Sequence, residues 1–297
     1  MPVKRVLITG TTGLLGKNVV EVFSDKARFE IFGISRKRKQ VTGDYHHIAA
    51  DLSDIVLLQY LIKDIKPAII VHCAANVNVD DCERNKKYVY DLHVNSTKRL
   101  AAYNPRRTTL VYISTDSVYD GNKSNHTEFE KISPSNHYAV TKREGEICAQ
   151  KENPNSIIIR TNIYGFQRQI GVSLAEWAIK HLSQNSPING FSDVFFNPVY
   201  TKQLSRSIYS LIAMNFKGII NIGSNLFISK YDFLVHLCEH FNFSVELVRK
   251  KSIDCERFAA WRPKNTTMDV SLLKSIIGQV PDLSSGLKEM KKDWDSK

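Results

Sequence analysis

The stretch VLITGTTGLLG, running from Val6 to Gly16, joins a short apolar run to three glycines spaced three residues apart. An apolar run of this length predicts a buried strand, and the glycines at its end predict a tight turn into a helix. In that position the glycines let the backbone bend and let a pyrophosphate approach the start of the helix. We therefore predict that this turn binds a dinucleotide cofactor through Gly10, Thr12, Gly13, Leu14, Leu15 and Gly16.

The rest of the chain continues this alternation of apolar runs and segments with helical period. Strands are predicted at residues 3–9, 29–35, 46–50, 68–74, 109–114 and 156–161, and helices at 14–23, 54–65, 86–103 and 137–151. Such alternation builds a parallel sheet covered by helices on both faces. We expect an α/β fold: a Rossmann-type doubly wound parallel sheet over residues 1–165, then a smaller C-terminal α/β substrate-binding domain over residues 166–297. Helices are predicted there near 172–182, 202–214, 230–241 and 271–277.

The composition is that of a globular protein, with 42% hydrophobic and 24% charged residues in a chain of 297, so disorder is not expected. No apolar stretch reaches the length of a signal sequence or a membrane span, and we expect a cytoplasmic protein without a membrane partner. The five cysteines are scattered and form no C-x-x-C pair. We therefore expect neither disulfides nor a metal site.

The formal net charge of +11 raises the question of an anionic partner. The basic clusters, such as residues 36–39 and 249–251, are short, and no nucleic-acid-binding motif accompanies them, so a nucleic-acid partner is not expected. An excess of basic over acidic residues also suits a small anionic ligand, such as a dinucleotide or a sugar nucleotide. A solvated surface is the alternative for most of these charges.

The end of the second predicted strand bears on the choice of cofactor. An acidic residue at this place holds the adenosine ribose when NAD is preferred, but the chain has Ser35, Arg36 and Lys37. A hydroxyl followed by two cations suits a 2′-phosphate, which favours NADP over NAD; a solvated basic loop is the alternative. Asp51, followed by Leu52, ends the third strand and could accept a hydrogen bond from adenine or serve as a turn residue.

Tyr138 and Lys142 lie four residues apart in a predicted helix and therefore share one face. An ammonium beside a phenol favours the ionised phenol and brings its pKa closer to neutrality. A solvated pair is the alternative interpretation of this spacing alone. Ser114 and Thr115 end another apolar run, and together with the glycine turn these residues make a coherent catalytic site.

Several further motifs accompany the glycine turn and the Tyr–Lys pair. They include Cys73-Ala74-Ala75, Asn95, HCAANVNVDDCE at 72–83, STDSVYDG at 114–121, RTNIYG at 160–165 and RPKNTTMD at 262–269. With them the chain resembles the extended short-chain dehydrogenase/reductases, and within these the dTDP-4-dehydrorhamnose reductase group, over nearly its whole length.

The resemblance implies a role for each matching residue. Tyr138 would protonate the carbonyl oxygen, Lys142 would lower the phenol pKa and bind the nicotinamide ribose, and Thr115 would polarise the carbonyl. Asn95 would support Lys142 through water. Cys73, Ala74 and Ala75 would line the cofactor site, whereas the substrate would meet Asn76, Ser114, Thr115, Asn162, Asn197 and Arg262. Arg262 is the candidate for a diphosphate, with a local salt bridge as the alternative.

The implied reaction is the reduction by NADPH of the 4-keto group of a nucleotide-linked 4-keto-6-deoxy sugar, in a monomer or a homodimer. Dehydratases of the family typically carry Thr-Asp-Glu where this chain has Thr115-Asp116-Ser117, and epimerases generally keep NAD and the acidic residue that is missing after the second strand. A third alternative is a non-catalytic NADP-binding regulatory subunit, because the regulatory beta subunit of methionine adenosyltransferase resembles the same group. Ile163 and residues 195–198 depart from the reductase pattern. These departures leave the identity of the sugar undetermined.

Overall fold

The computed structural model describes residues 3–26, 28–36, 45–167 and 173–296. Its central sheet contains six parallel strands from the first half of the chain: β1 (Lys4–Thr9), β2 (Phe29–Ser35), β3 (His46–Ala49), β4 (Ile69–His72), β5 (Thr109–Ile113) and β6 (Ser156–Tyr164). Their order across the sheet is β3-β2-β1-β4-β5-β6. The predicted doubly wound parallel sheet is confirmed, and its switch point, where ligands bind in such sheets, lies between β1 and β4.

The helices of this half pack on both faces of the sheet. They are α1 (Gly16–Ser24), α2 (Ile55–Ile65), α3 (Val79–Arg84), α4 (Lys86–Tyr90), α5 (Ser96–Ala101) and α6 (His137–Glu152). The single helix predicted at 86–103 is interrupted by a π-helical turn, Asp91–Asn95. One extra residue in a helical turn rotates the side chains beyond it, and such turns are frequent at functional sites.

The second half contributes α7 (Leu174–Leu182), β7 (Ile188–Phe191), β8 (Phe195–Phe196), β9 (Pro198–Tyr200), α8 (Thr201–Ala213), β10 (Gly218–Ile222), β11 (Ile228–Ser229), α9 (Lys230–Phe241), β12 (Val248–Lys251), α10 (Ser271–Ile277) and α11 (Leu283–Asp295). β10 pairs parallel with β6 at the edge of the central sheet, and β9 pairs with the end of β6. β7 pairs with β12 and β8 with β11. The sheet thus takes strands from both sides of residue 165, and the division into two domains stays a prediction.

Apolar side chains fill both faces of the central sheet. Val6 and Ile8 on β1 join one buried cluster with α1 and α8, whereas Leu7 joins the cluster on the opposite face. A third cluster lies among α7, α9 and α11. Burial on both faces explains why the strands are continuous apolar runs rather than alternating ones. Within the described residues, no helix is both long enough and apolar enough to cross a membrane.

Candidate active site

The glycine turn packs against the carboxyl end of β4. Gly10 has a φ of +71°, which favours glycine, and a Cβ there would lie 3.0 Å from the Cα and backbone nitrogen of Ala74. A Cβ on Gly16 would collide with the carbonyl oxygen of Gly10. Only a chain without side chains at these positions can make this close turn at the start of α1, and the turn fits the pyrophosphate of a dinucleotide.

A cleft of about 560 Å³ opens above this turn at the switch point of the sheet. It is lined by the predicted cofactor residues Gly10, Thr12, Gly13, Ser35, Arg36, Leu52, Cys73, Ala74 and Ala75. Leu15 and Gly16 are buried behind it at the start of α1, and the carbonyl oxygen of Leu14 accepts a hydrogen bond from Asn18. Lys37 lies outside the described residues. The structure therefore brings most of the predicted cofactor residues together.

The far end of this cleft holds a tyrosine that the sequence did not identify. Arg36 donates a hydrogen bond of 3.1 Å to the hydroxyl of Tyr88, which donates one of 3.4 Å to Asp51. The other oxygen of Asp51 accepts from the backbone and the hydroxyl of Ser53, both at 2.9 Å. Asp51 thus stabilises its own turn, the alternative that the sequence left open, and its hydrogen bond with adenine stays a prediction. The hydroxyl of Ser35 lies 2.8 Å from a ring nitrogen of His47.

The end of β5 is held against one face of α6. The ammonium of Lys142 donates a hydrogen bond of 2.6 Å to the carbonyl oxygen of Ile113. The hydroxyl of Ser114 donates one of 2.5 Å to Glu146, and the side chain of Thr115 is close enough to Tyr138 to lower the pKa of its phenol. Tyr138, Lys142 and Glu146 follow each other every four residues, so all three lie on the face of α6 that meets the end of β5.

Burial controls the ionisation of the Tyr–Lys pair. It raises the pKa of Tyr138, while the hydrogen bond with Thr115 lowers it and the Asp116 carboxylate raises it. Burial also lowers the pKa of Lys142 to about 7, against the opposing charge of Glu146. In this structure burial disfavours the phenolate more than the neighbouring groups stabilise it, and the lowering of the phenol pKa by Lys142 stays a prediction.

The support of Lys142 by Asn95 through water stays a prediction. The amide of Asn95 donates to Asp91 at 2.7 Å within the π-helical turn. His93, two residues earlier, reaches α6 instead: its Nδ1 lies 2.9 Å from the hydroxyl of Thr141, and its ring lies edge-on to Tyr138 with centroids 6.0 Å apart. Because Nε2 of His93 accepts from the backbone of Asn76 at 2.9 Å, the proton sits on Nδ1.

Asn76, predicted to meet the substrate, lines the cofactor cleft. Its amide donates to Asp81 at 2.6 Å, and its side-chain oxygen accepts from the backbone of Asn78 at 3.1 Å. Both groups of the side chain are thus used to hold the loop that precedes α3.

A buried ion pair lies beneath the catalytic lysine. Arg160 on β6 binds both oxygens of Glu146, at 3.0 and 2.9 Å, and both side chains are fully buried. Ser114 and Arg143 complete the shell of Glu146. The predicted substrate residue Ser114 thus has its proton committed to this carboxylate. In the sequence, Glu146 is indicated by its position one helical turn after Lys142. Its partner Arg160, however, lies outside that helix, on β6.

A second cleft, of about 780 Å³, opens beside Asp116, the residue that follows Thr115. Asp116 lies at its inner end and accepts from Thr115 at 3.1 Å, Ser117 at 3.4 Å, Asn162 at 2.7 Å and Thr266 at 2.5 Å. These donors satisfy the lone pairs of both carboxylate oxygens. The predicted substrate residues Asn162 and Arg262 line this cleft, as do Ser117, Trp177, Phe196 and Lys230.

Two predicted substrate residues have partners within the protein. Arg262 binds Asp80 at 2.9 Å and lies over the ring of Phe258, so the local salt bridge exists while the guanidinium still faces the cleft. The buried amide of Asn197 accepts from the backbone of Met268 at 2.6 Å and donates to the carbonyl of Ser224 at 3.2 Å. Asn197 thereby joins loops of the second half, a role that the sequence did not suggest.

Comparison with known proteins relates this geometry to a family. A family model described as RmlD substrate binding domain matches residues 4–295. Methionine adenosyltransferase 2 subunit beta of Mus musculus is 28% identical over 300 residues, covering 97% of this chain and 87% of that protein. The crystal structure of dTDP-4-dehydrorhamnose reductase from Bacillus anthracis in complex with NADP is 26% identical, covers 99% of both chains and superposes with a TM-score of 0.86.

Enzymes other than reductases share this fold. The structure of dTDP-glucose 4,6-dehydratase from Bacillus anthracis in complex with NAD superposes with a TM-score of 0.82 at 17% identity, covering 99% of this chain and 97% of the other. The fold alone therefore does not select one reaction. The family model, in contrast, matches almost the entire chain, and the protein belongs to the RmlD substrate binding domain family.

Proposed function

We propose that this protein uses NADPH to reduce the 4-keto group of a nucleotide-linked 4-keto-6-deoxy sugar. The observation that carries the proposal is the cluster of Thr115, Tyr138 and Lys142 next to residues that line the two clefts. Lys142 interacts electrostatically with Cys73, which lines the cofactor cleft. Thr115 donates a hydrogen bond of 3.1 Å to Asp116, which lines the second cleft. A proton donor between a dinucleotide cleft and a substrate cleft is the arrangement that ketone reduction needs.

Each residue of the site has a specific role in the proposed reaction. When bound, the nicotinamide supplies the hydride. The raised pKa of Tyr138 keeps the phenol protonated at neutral pH, which is the form that can donate a proton to the developing alkoxide. Thr115 supplies a second hydroxyl at the same place; its one proton is donated to Asp116 in this structure and has to turn toward the alkoxide, where positioned donors lower the barrier. Lys142 is held by Ile113 at the boundary with the cofactor cleft.

NADPH is favoured by the adenosine end of the cofactor cleft. Arg36 reaches Tyr88 there, and the nearby Asp51 uses one oxygen in its own turn. A guanidinium at this end suits a 2′-phosphate. The related reductase of Bacillus anthracis was crystallised in complex with NADP.

A reductase is favoured over the dehydratase and the epimerase. Ser117 stands where dehydratases carry a glutamate; it lines the second cleft, and its hydroxyl is 3.4 Å from Asp116. A serine hydroxyl is not a base at neutral pH, so the proton abstraction of a water elimination has no carboxylate at this position. The acidic ribose-binding residue expected of NAD-retaining epimerases is replaced by Ser35 and Arg36.

A second candidate function is that of a binding subunit. The 28% identity to methionine adenosyltransferase 2 subunit beta, over 97% of the chain, supports it. Tyr138, Lys142 and Thr115 all remain in one cluster, which a purely binding role does not require. The reductase is therefore our first proposal. The cytoplasmic location of the protein and its assembly as a homodimer stay predictions.

The proposal is tested by NADPH oxidation with a panel of nucleotide-linked 4-keto-6-deoxy sugars. At least one sugar should be reduced by the wild type, and Tyr138→Phe should lower its turnover by about 10²- to 10⁴-fold with NADPH affinity unchanged. Tyr60→Phe is the matched control, because Tyr60 is exposed on α2 and should turn over normally. A stable partner complex with no ketone-dependent oxidation for any sugar would establish the binding subunit instead.

A further inference from the structure

His93 in the π-helical turn contacts both a loop of the cofactor cleft and α6. The residue is 1% exposed. Its Nε2 accepts a hydrogen bond of 2.9 Å from the backbone of Asn76, and its Nδ1 donates one of 2.9 Å to the hydroxyl of Thr141. Burial and the positive charge of Lys142 lower the pKa of His93 well below its usual value, so the ring stays neutral and keeps one donor and one acceptor. Each ring nitrogen thus binds a different part of the site.

The backbone of His93 is held as well as its ring. The hydroxyl of Thr97 donates a hydrogen bond of 2.6 Å to the carbonyl oxygen of His93. Helix α6 approaches the same oxygen at Gly145, where a Cβ would lie 3.0 Å from it, and glycine allows such a close approach of two backbones. The packing of α6 on the π-helical turn therefore fixes the point from which the imidazole reaches Thr141.

Thr141 connects His93 to the turn of α6 that carries Tyr138. The buried hydroxyl of Thr141 lies 3.0 Å from the carbonyl oxygens of His137 and Tyr138, to one of which it donates its proton. His93 also meets Tyr138 directly, because the two rings lie edge-on with centroids 6.0 Å apart. The imidazole therefore acts on the proposed proton donor both through its backbone and through its ring.

Asn76 connects His93 to the cofactor cleft. Residues 73–76, here called the β4 loop, follow β4 and line this cleft in succession. Near the start of the loop, the backbone of Ala74 donates a hydrogen bond of 3.2 Å to the hydroxyl of Thr9 on β1. At its end, the backbone of Asn76 donates to His93. The β4 loop is thus held at one end by the sheet and at the other by the imidazole.

We propose that His93 is a positioning residue, which holds the β4 loop of the cofactor cleft in place relative to the turn of α6 that carries Tyr138. This inference rests on the proposed function. Ketone reduction delivers a hydride and a proton to the two atoms of one carbonyl group, so the cofactor and the phenol must be placed relative to each other. A small misplacement of a reacting group lowers the rate strongly. One buried side chain that binds both parts limits that misplacement.

Two substitutions each remove one of the two hydrogen bonds of the imidazole. The side-chain amide of asparagine overlaps the position of Nδ1, so His93→Asn keeps a donor for Thr141 and loses the acceptor for Asn76. The amide of glutamine overlaps the position of Nε2, so His93→Gln keeps that acceptor and loses the donor. The two variants therefore separate the link to the cofactor cleft from the link to α6.

NADPH affinity, measured by fluorescence titration, and kcat with a reducible sugar should respond in opposite ways. His93→Asn should weaken NADPH binding by about 3- to 10-fold, the range of one hydrogen bond, with kcat within about twofold of the wild type. His93→Gln should lower kcat by about 10- to 100-fold, with NADPH affinity within about twofold. Equal losses in both variants would mean that His93 only fills space and would overturn the inference, as would no change in either.

The matched control is His236→Asn on α9, where a ring nitrogen of the partly exposed His236 lies 3.2 Å from Glu239. Its NADPH affinity and kcat should equal those of the wild type. If a His93 variant does not fold, Thr141→Val and Thr141→Ser replace it, because valine removes the acceptor for the imidazole and serine keeps it. The valine variant alone should then lose kcat, and equal kcat in both would contradict the role of His93.

Hydrogen exchange followed by mass spectrometry separates this inference from the proposed function, because it requires no turnover. In His93→Asn, the β4 loop should exchange faster than in the wild type while residues 138–142 keep the wild-type rate; His93→Gln should show the reverse. These opposite changes without reduction of any sugar would support the link made by His93 and reject the reductase. Reduction of a sugar with the same exchange in both variants would keep the reductase and reject the inference.

Discussion

The ammonium of Lys142 donates its hydrogen bond to the carbonyl oxygen of Ile113, at 2.6 Å, while its Nζ lies 4.1 Å from the centre of the Tyr112 ring. The lysine is thus fixed to the end of β5 by a neutral acceptor and an aromatic face. Neither contact compensates fully for the lost hydration of a buried charge. This explains how a lysine in the centre of the site has a pKa near neutrality.

The first prediction concerns the pH dependence of stability. The pKa of Lys142 is about 7 in the folded protein and has an ordinary value of 10.5, so between these values the unfolded chain binds more protons. Stability from this group therefore rises from pH 7 to about pH 10. In denaturant unfolding, the free energy of unfolding of the wild type should increase relative to Lys142→Met over this range.

The control for this measurement is Lys288→Met, which removes an exposed lysine from α11. Its free energy of unfolding should follow that of the wild type at every pH. Parallel curves for the wild type and Lys142→Met would show that Lys142 keeps an ordinary pKa in the folded state.

The second prediction concerns the ion pair beneath the lysine. Glu146→Gln leaves the buried guanidinium of Arg160 without its counter-charge, and breaking such a pair costs about 3–5 kcal/mol. Because Glu146 raises the pKa of Lys142, its loss should also move the Lys142 limb of the pH–rate profile of kcat to lower pH. Urea unfolding and that profile measure the two effects.

Arg143→Met provides the comparison for Glu146→Gln, since Arg143 is the partly exposed partner of the same carboxylate. A partly exposed pair contributes about 0–1 kcal/mol, and the pH–rate profile should hardly move. An unshifted profile in Glu146→Gln would mean that Glu146 serves stability alone and does not influence Lys142.

The third prediction concerns the hydroxyl of Thr115. Thr115→Val removes the donor beside Tyr138, and loss of one positioned donor lowers kcat by about 10²- to 10³-fold. Thr115→Ser keeps the hydroxyl and should stay within about tenfold of the wild type. Because the same oxygen accepts from the backbone of Ser117 at 3.2 Å, unfolding measurements must accompany the kinetics. Equal kcat in the Val and Ser variants would contradict the role.

Local patterns explain what the sequence could predict. The strands of the first half are continuous apolar runs, and the glycine turn is a short contiguous motif, so both are readable without the fold. β8 and β11 contain two residues each, too few for any periodicity, and they form because tertiary packing brings them together. The cofactor cleft was largely predictable because its residues follow the carboxyl ends of neighbouring strands in the sheet.

Long-range partners explain what the sequence could not predict. The amide of Asn197 finds Met268, which is 71 residues away, and Glu146 finds Arg160 on a neighbouring strand. Nothing in the sequence near either residue specifies such a partner. The contact of His93 with α6 has another cause, because the π-helical turn changes which side chains face α6, and a regular helical period does not include that turn.

The last prediction compares two glycines with similar positive φ angles. Gly10 and Gly278 have φ values of +71° and +76°, but a Cβ on Gly10 meets Ala74 at 3.0 Å, whereas Gly278 has open space around it. Each substitution by alanine costs about 1–2 kcal/mol for the left-handed conformation. Gly10→Ala should additionally displace the turn from β4 and weaken NADPH binding by at least about tenfold, measured by fluorescence titration. Gly278→Ala, at the end of α10, should keep wild-type affinity. If the two variants bind NADPH equally, the close approach of the glycine turn to Ala74 is not what shapes the cofactor cleft.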